Sequence, residues 1–262
     1  MKKSIMSEHA RPFILAEANW KTVKETQYHT AVLPWGATEA HNYHLPYGVD
    51  NIQAKYVAER AVARAWEKGA KVILLPGIDY GVNTGQLDVN LCMNMMPSTQ
   101  LAILKDICDV LVRHKVEKLV IINGHGANNF VAMIRELALL FPGLFVTVLN
   151  WYKAAPMKDI FEDPGDHADE FETSCMMHIA PGLVQPLATA GDGATLSFNL
   201  KGFREGWAWA QRPWTKITKD TGSGNPAKAN PEKGKLFLEK TITNIGDFLF
   251  ELSGKTIDEL LG

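Results

Sequence analysis

The sequence predicts an α/β fold in three layers, with a mostly parallel sheet between two layers of helices. Short runs of Val, Ile and Leu recur along the chain without polar alternation, which is typical of strands covered on both faces. Longer stretches with apolar residues at helical spacing separate these runs. Strand and helix candidates therefore alternate, and this order favours a doubly wound parallel sheet.

The individual elements can be assigned in chain order from these patterns. The strand candidates are short and rich in branched apolar side chains, and they cover residues 30–33, 72–75, 119–122 and 144–149. The helix candidates carry apolar residues three or four positions apart, and they cover residues 51–68, 98–114, 129–140, 169–179 and 232–252. Gly69, directly after the first helix candidate, is typical of a helix C-terminus.

Residues 191–231 interrupt the alternation, because they are rich in Gly, Pro and Trp and lack a clear period. A loop of this length inside a compact domain usually covers a site or an interface. Trp207, Trp209 and Trp214 lie on it and either line such a surface or pack internally. No repeat or linker divides the chain, so we expect a single domain over residues 1–262.

Composition and charge exclude several classes of protein. The chain has 262 residues, 46% of them hydrophobic, and a net charge of -2 without a dense Lys/Arg block, so nucleic acid is not an expected partner. Cys92, Cys108 and Cys175 form no CxxC pair, which favours free thiols in a reducing cytoplasm. The N-terminus lacks the apolar run of a signal peptide, and no window reaches the ~18 apolar residues of a membrane span. We therefore expect a soluble cytoplasmic protein without a membrane partner.

The first group of candidate metal ligands follows the first strand candidate. Glu39 and His41 are two residues apart, so in an extended segment their side chains point to the same side and could meet one metal or two adjacent metals. The alternative is a surface loop with a solvated Glu and an incidental His. Asp50 precedes a helix candidate, where it could cap the helix, bind metal, or do both.

A second candidate ligand follows the third strand candidate. His125 lies between two glycines, which let the backbone turn sharply and leave the imidazole uncovered. The carboxyl ends of parallel strands meet at one edge of the sheet, so His125 is expected near Glu39 and His41. The alternative is a tight turn with a bystander His. Asn128 and His44 are weaker candidates for contacts to a substrate.

The third group lies in an acidic loop and the helix candidate after it. His167 precedes the helix, and Glu172 falls in its first turn. Asp169 and Glu172 also have the spacing of a capping box, so a purely structural role is the alternative for Glu172. The functional interpretation makes Glu172 a metal ligand and His167 a proton-transfer group.

These residues together form the inventory of a site for two divalent metals. Such a site needs a bridging carboxylate, further ligands for each metal and open positions for water. Carboxylate and imidazole side chains suit Zn, Mn or Fe. The predicted ligands are Glu39, His41, Asp50, His125 and Glu172.

Four segments of the chain resemble motifs of the creatininase (creatinine amidohydrolase) family, in the right order and over nearly the full length. GATEAHNYHLPYGVD (residues 36–50) resembles the motif G-S-T-E-x-H-G-x-H-L-P-x-x-x-D, and NGHGANN (residues 123–129) resembles N-G-H-G-x-N. HADEFETS (residues 167–174) resembles H-A/G-G-x-x-E-T-S. TGSGNPAKANPEKG (residues 221–234) resembles T-G-x-x-G-D-P-x-x-A-x-x-E-K-G.

The resemblance implies a creatininase-like three-layer fold and two divalent metal ions, most often zinc and sometimes manganese or iron. By resemblance, Glu39 and His125 would hold one ion, His41 and Glu172 the other, and Asp50 would bridge them. The family typically hydrolyses C–N bonds other than peptide bonds in small cyclic amides or formamides, and it forms homo-oligomers, often hexamers. His167 matches the family His that assists proton transfer.

The chain also departs from the family pattern. Creatininase itself carries a metal-binding Glu where this sequence has Ala127, so Glu172 is assigned in its place and creatinine becomes a weaker substrate candidate. Residues 82–97 differ from the S-x-E-H-x-x-F-P-G-T pattern of many relatives, which suggests a different substrate or lost activity. The alternatives are a non-catalytic, metal-stabilised oligomeric accessory protein and a pathway-specific metallopeptidase of the same family.

Overall fold

The computed structural model describes residues 11–261, and its centre is a four-stranded sheet in the order β2-β1-β3-β4. All three strand pairings are parallel, as the sequence predicts. The strands are β1 (Thr30–Trp35), β2 (Val72–Leu74), β3 (Lys118–Asn123) and β4 (Phe145–Asn150). The chain leaves β1 toward one edge of the sheet and then crosses over to add β3 and β4 on the other side. The strand order therefore reverses between β1 and β3, where open α/β sheets form their ligand-binding crevice.

The helices predicted from apolar periodicity are all present, with bounds that differ by a few residues. They are α2 (Val49–Glu67), α3 (Pro97–Arg113), α4 (Phe130–Leu140), α5 (Glu170–Ile179) and α8 (Pro231–Gly254). Three shorter helices were not predicted, because four to six residues are too few to show a period. They are α1 (Trp20–Glu25), α6 (Lys201–Arg204) and α7 (Trp214–Ile217), and the last two lie in the irregular 191–231 segment.

Two apolar cores lie on opposite faces of the sheet and confirm the three layers. Val32 of β1 belongs to the core that packs against α2 and α8. Its neighbour Leu33 belongs to the other core, against α3 and α4. Successive side chains of a strand point to opposite faces, so each β1 residue is buried on one side or the other. This explains why the strands read as continuous apolar runs.

The C-terminal helix α8 packs tightly against α5, which carries Glu172. A Cβ atom at Gly234 of α8 would collide with the Ser174 carbonyl oxygen of α5. Glycine therefore allows the two helices to approach closely. Lys233 Nζ also pairs with Glu170 Oε1 at 2.6 Å. The end of the fourth sequence motif thus has a structural role. It holds α5, the helix that carries Glu172, close to α8.

The structure also bears on the expectations about the cysteines and the membrane spans. The three cysteines are free and buried, as predicted. Within residues 11–261, no helix is long and apolar enough to cross a membrane. Residues 1–10, where no signal peptide is predicted, lie outside the described residues.

Candidate metal centre

The predicted ligands converge at the crevice between the carboxyl ends of β1 and β3. Glu39 and His41 lie on the loop after β1, Asp50 lies in the first turn of α2, and His125 follows β3. A Cβ atom at Gly124 would lie 2.8 Å from the Asp50 carbonyl oxygen. Glycine at this turn therefore lets the start of α2 approach the end of β3, which brings Asp50 beside His125.

One cluster of ligand atoms forms around His125. Its Nδ1 lies 3.0 Å from Glu39 Oε1 and 3.0 Å from Asp50 Oδ2. Its Nε2–H donates to the Val82 carbonyl at 3.0 Å, so in the neutral ring Nδ1 carries a lone pair. Three acceptor atoms then face one another in a buried place, and Asp50 Oδ2 has no hydrogen-bond donor there. A bound cation would satisfy all three, so the donor set fits a metal ion.

A second cluster forms around His41 and shares Asp50 with the first. His41 Nε2 lies 3.1 Å from Asp50 Oδ1 and 3.8 Å from Glu172 Oε2. The ring's other nitrogen, Nδ1, donates to the Glu39 carbonyl at 3.0 Å. The two clusters thus use different oxygens of one carboxylate, and the ligand atoms of each lie within 4.8 Å of one another.

Asp50 does not cap the helix, which was the structural alternative. Helix α2 begins at Val49 with Gly48 as its N-cap, and no side chain makes the cap hydrogen bond. The Asp50 carboxylate is free to face the two imidazoles. In α5 the predicted N-cap is confirmed, since the Asp169 side chain accepts a hydrogen bond from the Glu172 backbone N–H at 2.9 Å. The Glu172 carboxylate nevertheless faces His41, so capping and a place at the site coexist in this turn.

His167 lies next to both clusters. Its Nε2–H donates to the Ala40 carbonyl at 2.8 Å, and its Nδ1 lies 3.6 Å from Glu39 Oε1. The ring sits 4.1 Å from that of His41 and edge-on to Trp214 at 5.4 Å. Burial and the neighbouring His41 lower the pKa of His167. The ring is therefore neutral near pH 7, with an accepting nitrogen turned toward the site.

The remaining pKa shifts show that the site is built to hold positive charge. Burial opposes the charged form of His41, but the carboxylates of Asp50 and Glu172 outweigh it and raise the His41 pKa to about 10. Burial would raise the pKa of Asp50, but His41 and His125 hold it well below the usual range. Burial raises the pKa of Glu172 to about 8, although His41 opposes the shift. In the absence of metal, protons therefore supply the cations that the carboxylates require.

The two residues predicted as weak substrate contacts are each hydrogen-bonded to other protein groups. His44 is buried, and its Nε2 lies 2.8 Å from Thr173 Oγ1 of α5. Asn128 Oδ1 accepts from the Val82 N–H at 3.0 Å and from Gln100 Nε2 at 2.8 Å. Asn128 borders the cavity described below. Both side chains thus hold the surroundings of the site in place, and a contact to substrate stays a prediction.

Two voids adjoin the predicted ligands. A void of about 130 Å³ is lined by Glu39, Asp50, His125, His167 and Glu172. It adjoins a cavity of about 760 Å³ that also reaches Glu39, His125 and His167. Trp209 and Trp214 line this cavity, so the irregular 191–231 segment does border the site. The cavity's other walls come from residues 82–86, 126–131 and 148–153.

Sequence reasoning missed Gln86, which lies in the segment that departs from the family pattern. Its side-chain amide donates to Glu39 Oε2 and its amide oxygen accepts from the Cys92 thiol. The contact to Glu39 joins residues 47 positions apart, and no local pattern in the sequence marks it.

Comparison with known proteins agrees with this geometry. The Creatininase family model, described as creatinine amidohydrolase, matches residues 16–249. Creatinine amidohydrolase of Pseudomonas putida is 28% identical over 250 residues, which cover 84% of this chain and 88% of the relative. Mycofactocin precursor peptide peptidase of Mycobacterium ulcerans is 27% identical over 244 residues, which cover 90% of this chain and 91% of the relative.

Solved structures share the fold. A crystal structure of a candidate creatinine amidohydrolase from Bacteroides fragilis NCTC 9343 superposes with a TM-score of 0.87 at 38% identity, covering 94% of this chain and 98% of that chain. A creatininase of Zn–Zn type and a manganese creatininase have TM-scores of 0.75 and 0.76 at 23% and 24% identity. With the family model spanning most of its length and the predicted ligand residues gathered at one crevice, the chain belongs to the creatininase family.

Proposed function

We propose that the protein is a binuclear metal-dependent amidohydrolase that cleaves a C–N bond other than a peptide bond in a small cyclic amide or formamide. Asp50 carries this proposal. It is a buried carboxylate with one oxygen 3.1 Å from His41 and the other 3.0 Å from His125. A carboxylate placed between two imidazoles on separate loops can offer one oxygen to each of two metal ions, which supports a bridged pair.

Each ion would have its own ligands beside the shared Asp50. Glu39 and His125 would hold one, and His41 and Glu172 the other. Mixed carboxylate and imidazole ligands accept several first-row metals, and zinc is the expected one, with manganese or iron as alternatives. When bound, the ions would supply the Lewis acidity that activates water and polarises the scissile carbonyl.

His167 would move the proton during hydrolysis. The Ala40 carbonyl fixes its Nε2–H, so Nδ1 is the atom that faces the site. The lowered pKa keeps this nitrogen unprotonated near neutral pH. It can then accept a proton from the attacking water and return it to the leaving nitrogen. Its place in the wall of the cavity would bring it within reach of a bound amide.

A modified peptide is the second substrate candidate, because the cavity is large. Its volume of about 760 Å³ exceeds the needs of a single small ring and lies in the range of about 300–1,000 Å³ typical of larger ligands. The Mycobacterium ulcerans relative is named as a peptide peptidase. A panel that contains cyclic amides, formamides and modified peptides would separate the two activities by the class that is hydrolysed.

The test of the proposal is the variant Asp50→Ala. We expect loss of both metal ions and of all hydrolysis, because the bridging ligand is gone, and elemental analysis beside the substrate panel measures both. Undiminished metal content in a folded Asp50→Ala protein would contradict the bridging role. Metal binding without hydrolysis of any class in the wild-type protein would favour the non-catalytic accessory alternative.

We also propose that the protein works as a cytoplasmic homo-oligomer, a hexamer by family resemblance, and that residues 1–262 form one domain. Light scattering coupled to gel filtration would test the oligomeric state. A monomer at all concentrations would refute it, and limited proteolysis to a single resistant core would support one domain.

A further inference from the structure

We propose that Gln86 and Cys92 are positioning residues that hold Glu39 in the orientation needed to bind metal. The inference rests on the proposed metal centre and adds two residues outside the ligand set. Both lie in residues 82–97, the segment that differs from the pattern of many family members.

The three side chains form a continuous chain of hydrogen bonds. Gln86 Nε2 donates to Glu39 Oε2. The Cys92 thiol donates to Gln86 Oε1 at 3.2 Å, and the Ala40 backbone N–H donates to Cys92 Sγ at 3.3 Å. The chain begins at Glu39 and returns to the residue next to it, so the loop that carries the ligand is held from both sides.

The direction of each bond is fixed by chemistry. A carboxylate can only accept, so the amide NH₂ of Gln86 must face Glu39. The amide oxygen then faces Cys92 and needs a donor, which the protonated thiol supplies. Burial raises the pKa of Cys92, which keeps the thiol protonated. The exposed fractions are 1% for Glu39, 7% for Gln86 and 9% for Cys92. Water therefore has little access to these hydrogen bonds and can hardly replace either partner.

This arrangement leaves one oxygen of Glu39 for the metal. Oε2 is occupied by Gln86, while Oε1 lies 3.0 Å from His125 Nδ1. A carboxylate held in this way presents a single oxygen beside the imidazole and loses little side-chain freedom when an ion binds. Hydrogen bonds to the far side of a ligand are known to orient it and to strengthen metal binding.

The segment is tied to the Glu39 loop by its backbone as well. The Met93 N–H donates to the Thr38 carbonyl at 2.9 Å, and Asn83 Nδ2 donates to the Met93 carbonyl at 3.0 Å. Residues 82–97 thus support the Glu39 loop through the backbone as well as through Gln86 and Cys92.

The first experiment compares metal affinity in wild-type protein and in Gln86→Leu, which keeps a similar volume but has no donor, and Gln86→Ala. Affinity is measured by competition with a chromogenic chelator, and the ligand field by the visible spectrum of the Co²⁺-loaded protein. We expect affinity to fall about 10–100-fold and the spectrum to shift. Gln211→Ala is the matched control, since Gln211 lines the same cavity but hydrogen-bonds Thr84, and its metal affinity should not change.

Cys92 is tested by rescue. Cys92→Ala should weaken metal binding less than Gln86→Leu does, and Cys92→Ser should restore it because a hydroxyl both donates and accepts. The double variant Gln86→Leu/Cys92→Ala should lose less affinity than the sum of the two single losses, since Cys92 acts partly through Gln86 and partly on the Ala40 N–H. Additive losses would contradict that order of action.

The outcomes separate this inference from the function it rests on. Folded Gln86 variants with wild-type affinity and spectrum would overturn the inference while leaving the metal centre intact. A raised KM with unchanged metal affinity would make Gln86 a substrate contact and would overturn it too. A wild-type protein that binds no divalent ion would overturn the proposed function and this inference together.

Discussion

At the scale of single residues, three histidines at the site are oriented in the same way. His41, His125 and His167 each donate one ring N–H to a backbone carbonyl, at 3.0, 3.0 and 2.8 Å. When the ring is neutral, its other nitrogen carries the lone pair and faces the carboxylates. Backbone geometry, which follows from the fold, therefore selects the tautomer that can bind a metal or accept a proton.

A substitution of His167 tests whether this residue is a metal ligand or a proton-transfer group. In His167→Asn we expect metal content to stay at the wild-type level and turnover to fall by about 10²–10⁴-fold, because only the proton path is removed. Elemental analysis and steady-state kinetics on one preparation measure both. Loss of metal in this variant would show instead that His167 is a ligand, a role its 3.6 Å distance to Glu39 also permits.

The pKa shifts predict that metal affinity rises with pH. Without metal, His41 with a pKa of about 10 and Glu172 with a pKa of about 8 are protonated at neutral pH, so an incoming ion must displace these protons. Raising the pH from about 6 to about 9 deprotonates Glu172 and weakens the competition from the proton on His41. Chelator competition across this range should show steadily tighter binding, with protons released on metal addition. Weaker binding at high pH would contradict the assignment of these groups as ligands.

The sequence predicted which residues meet at the site, but it did not settle what Asp50 does. Whether an Asp caps a helix depends on where the helix begins, and sequence patterns place such boundaries only within a residue or two. Helix α2 begins two residues earlier than predicted, so Asp50 falls inside its first turn. The role of Gln86 could not be predicted for another reason, because its contact to Glu39 exists only after the chain has folded.

At the scale of elements, the close packing of α5 on α8 determines where Glu172 lies. We expect Gly234→Ala to destabilise the protein by about 1–3 kcal/mol, because the added methyl group meets the Ser174 carbonyl. Urea unfolding measures the change. Gly254→Ala is the matched control in the same helix, since nothing lies within 4 Å of its Cβ position. Equal stability of the two variants would show that the contact between the helices is not tight.

The long elements could be predicted and the short ones could not. Strands buried on both faces and helices with an apolar stripe carry signals over many residues. The four-residue helices α6 and α7 carry no such signal, and tertiary contacts decide whether they form. Trp214 illustrates this, since it begins α7, lines the cavity and packs against His167. The sequence around Trp214 was equally compatible with a residue that packs internally.

At the scale of the whole molecule, the strand order creates the site. Glu39, His41 and His125 come from loops after β1 and β3, which are neighbours in the sheet but distant in sequence. The alternation of strands and helices predicts a parallel sheet, and with it a common edge for these residues. It does not specify which strands are neighbours. An apolar run indicates that a strand is buried, but not which other strand it pairs with.

Metal should also stabilise the folded chain, since the ligands come from distant parts of the sequence and converge only in the native state. We expect removal of metal by a chelator to lower the melting temperature, and restored Zn²⁺ to recover it. An ion present at about 100 times its dissociation constant contributes about 2.7 kcal/mol. An identical melting curve with and without metal would contradict a site that forms on folding.

The central claim is that this chain holds two divalent ions bridged by Asp50, and metal content per chain tests it most directly. The protein is purified without chelator or a metal-affinity tag and examined by elemental analysis. We predict about two equivalents of Zn, Mn or Fe per chain, as a bridged pair of ions requires. Protein that contains no metal and takes up none on titration would contradict the account.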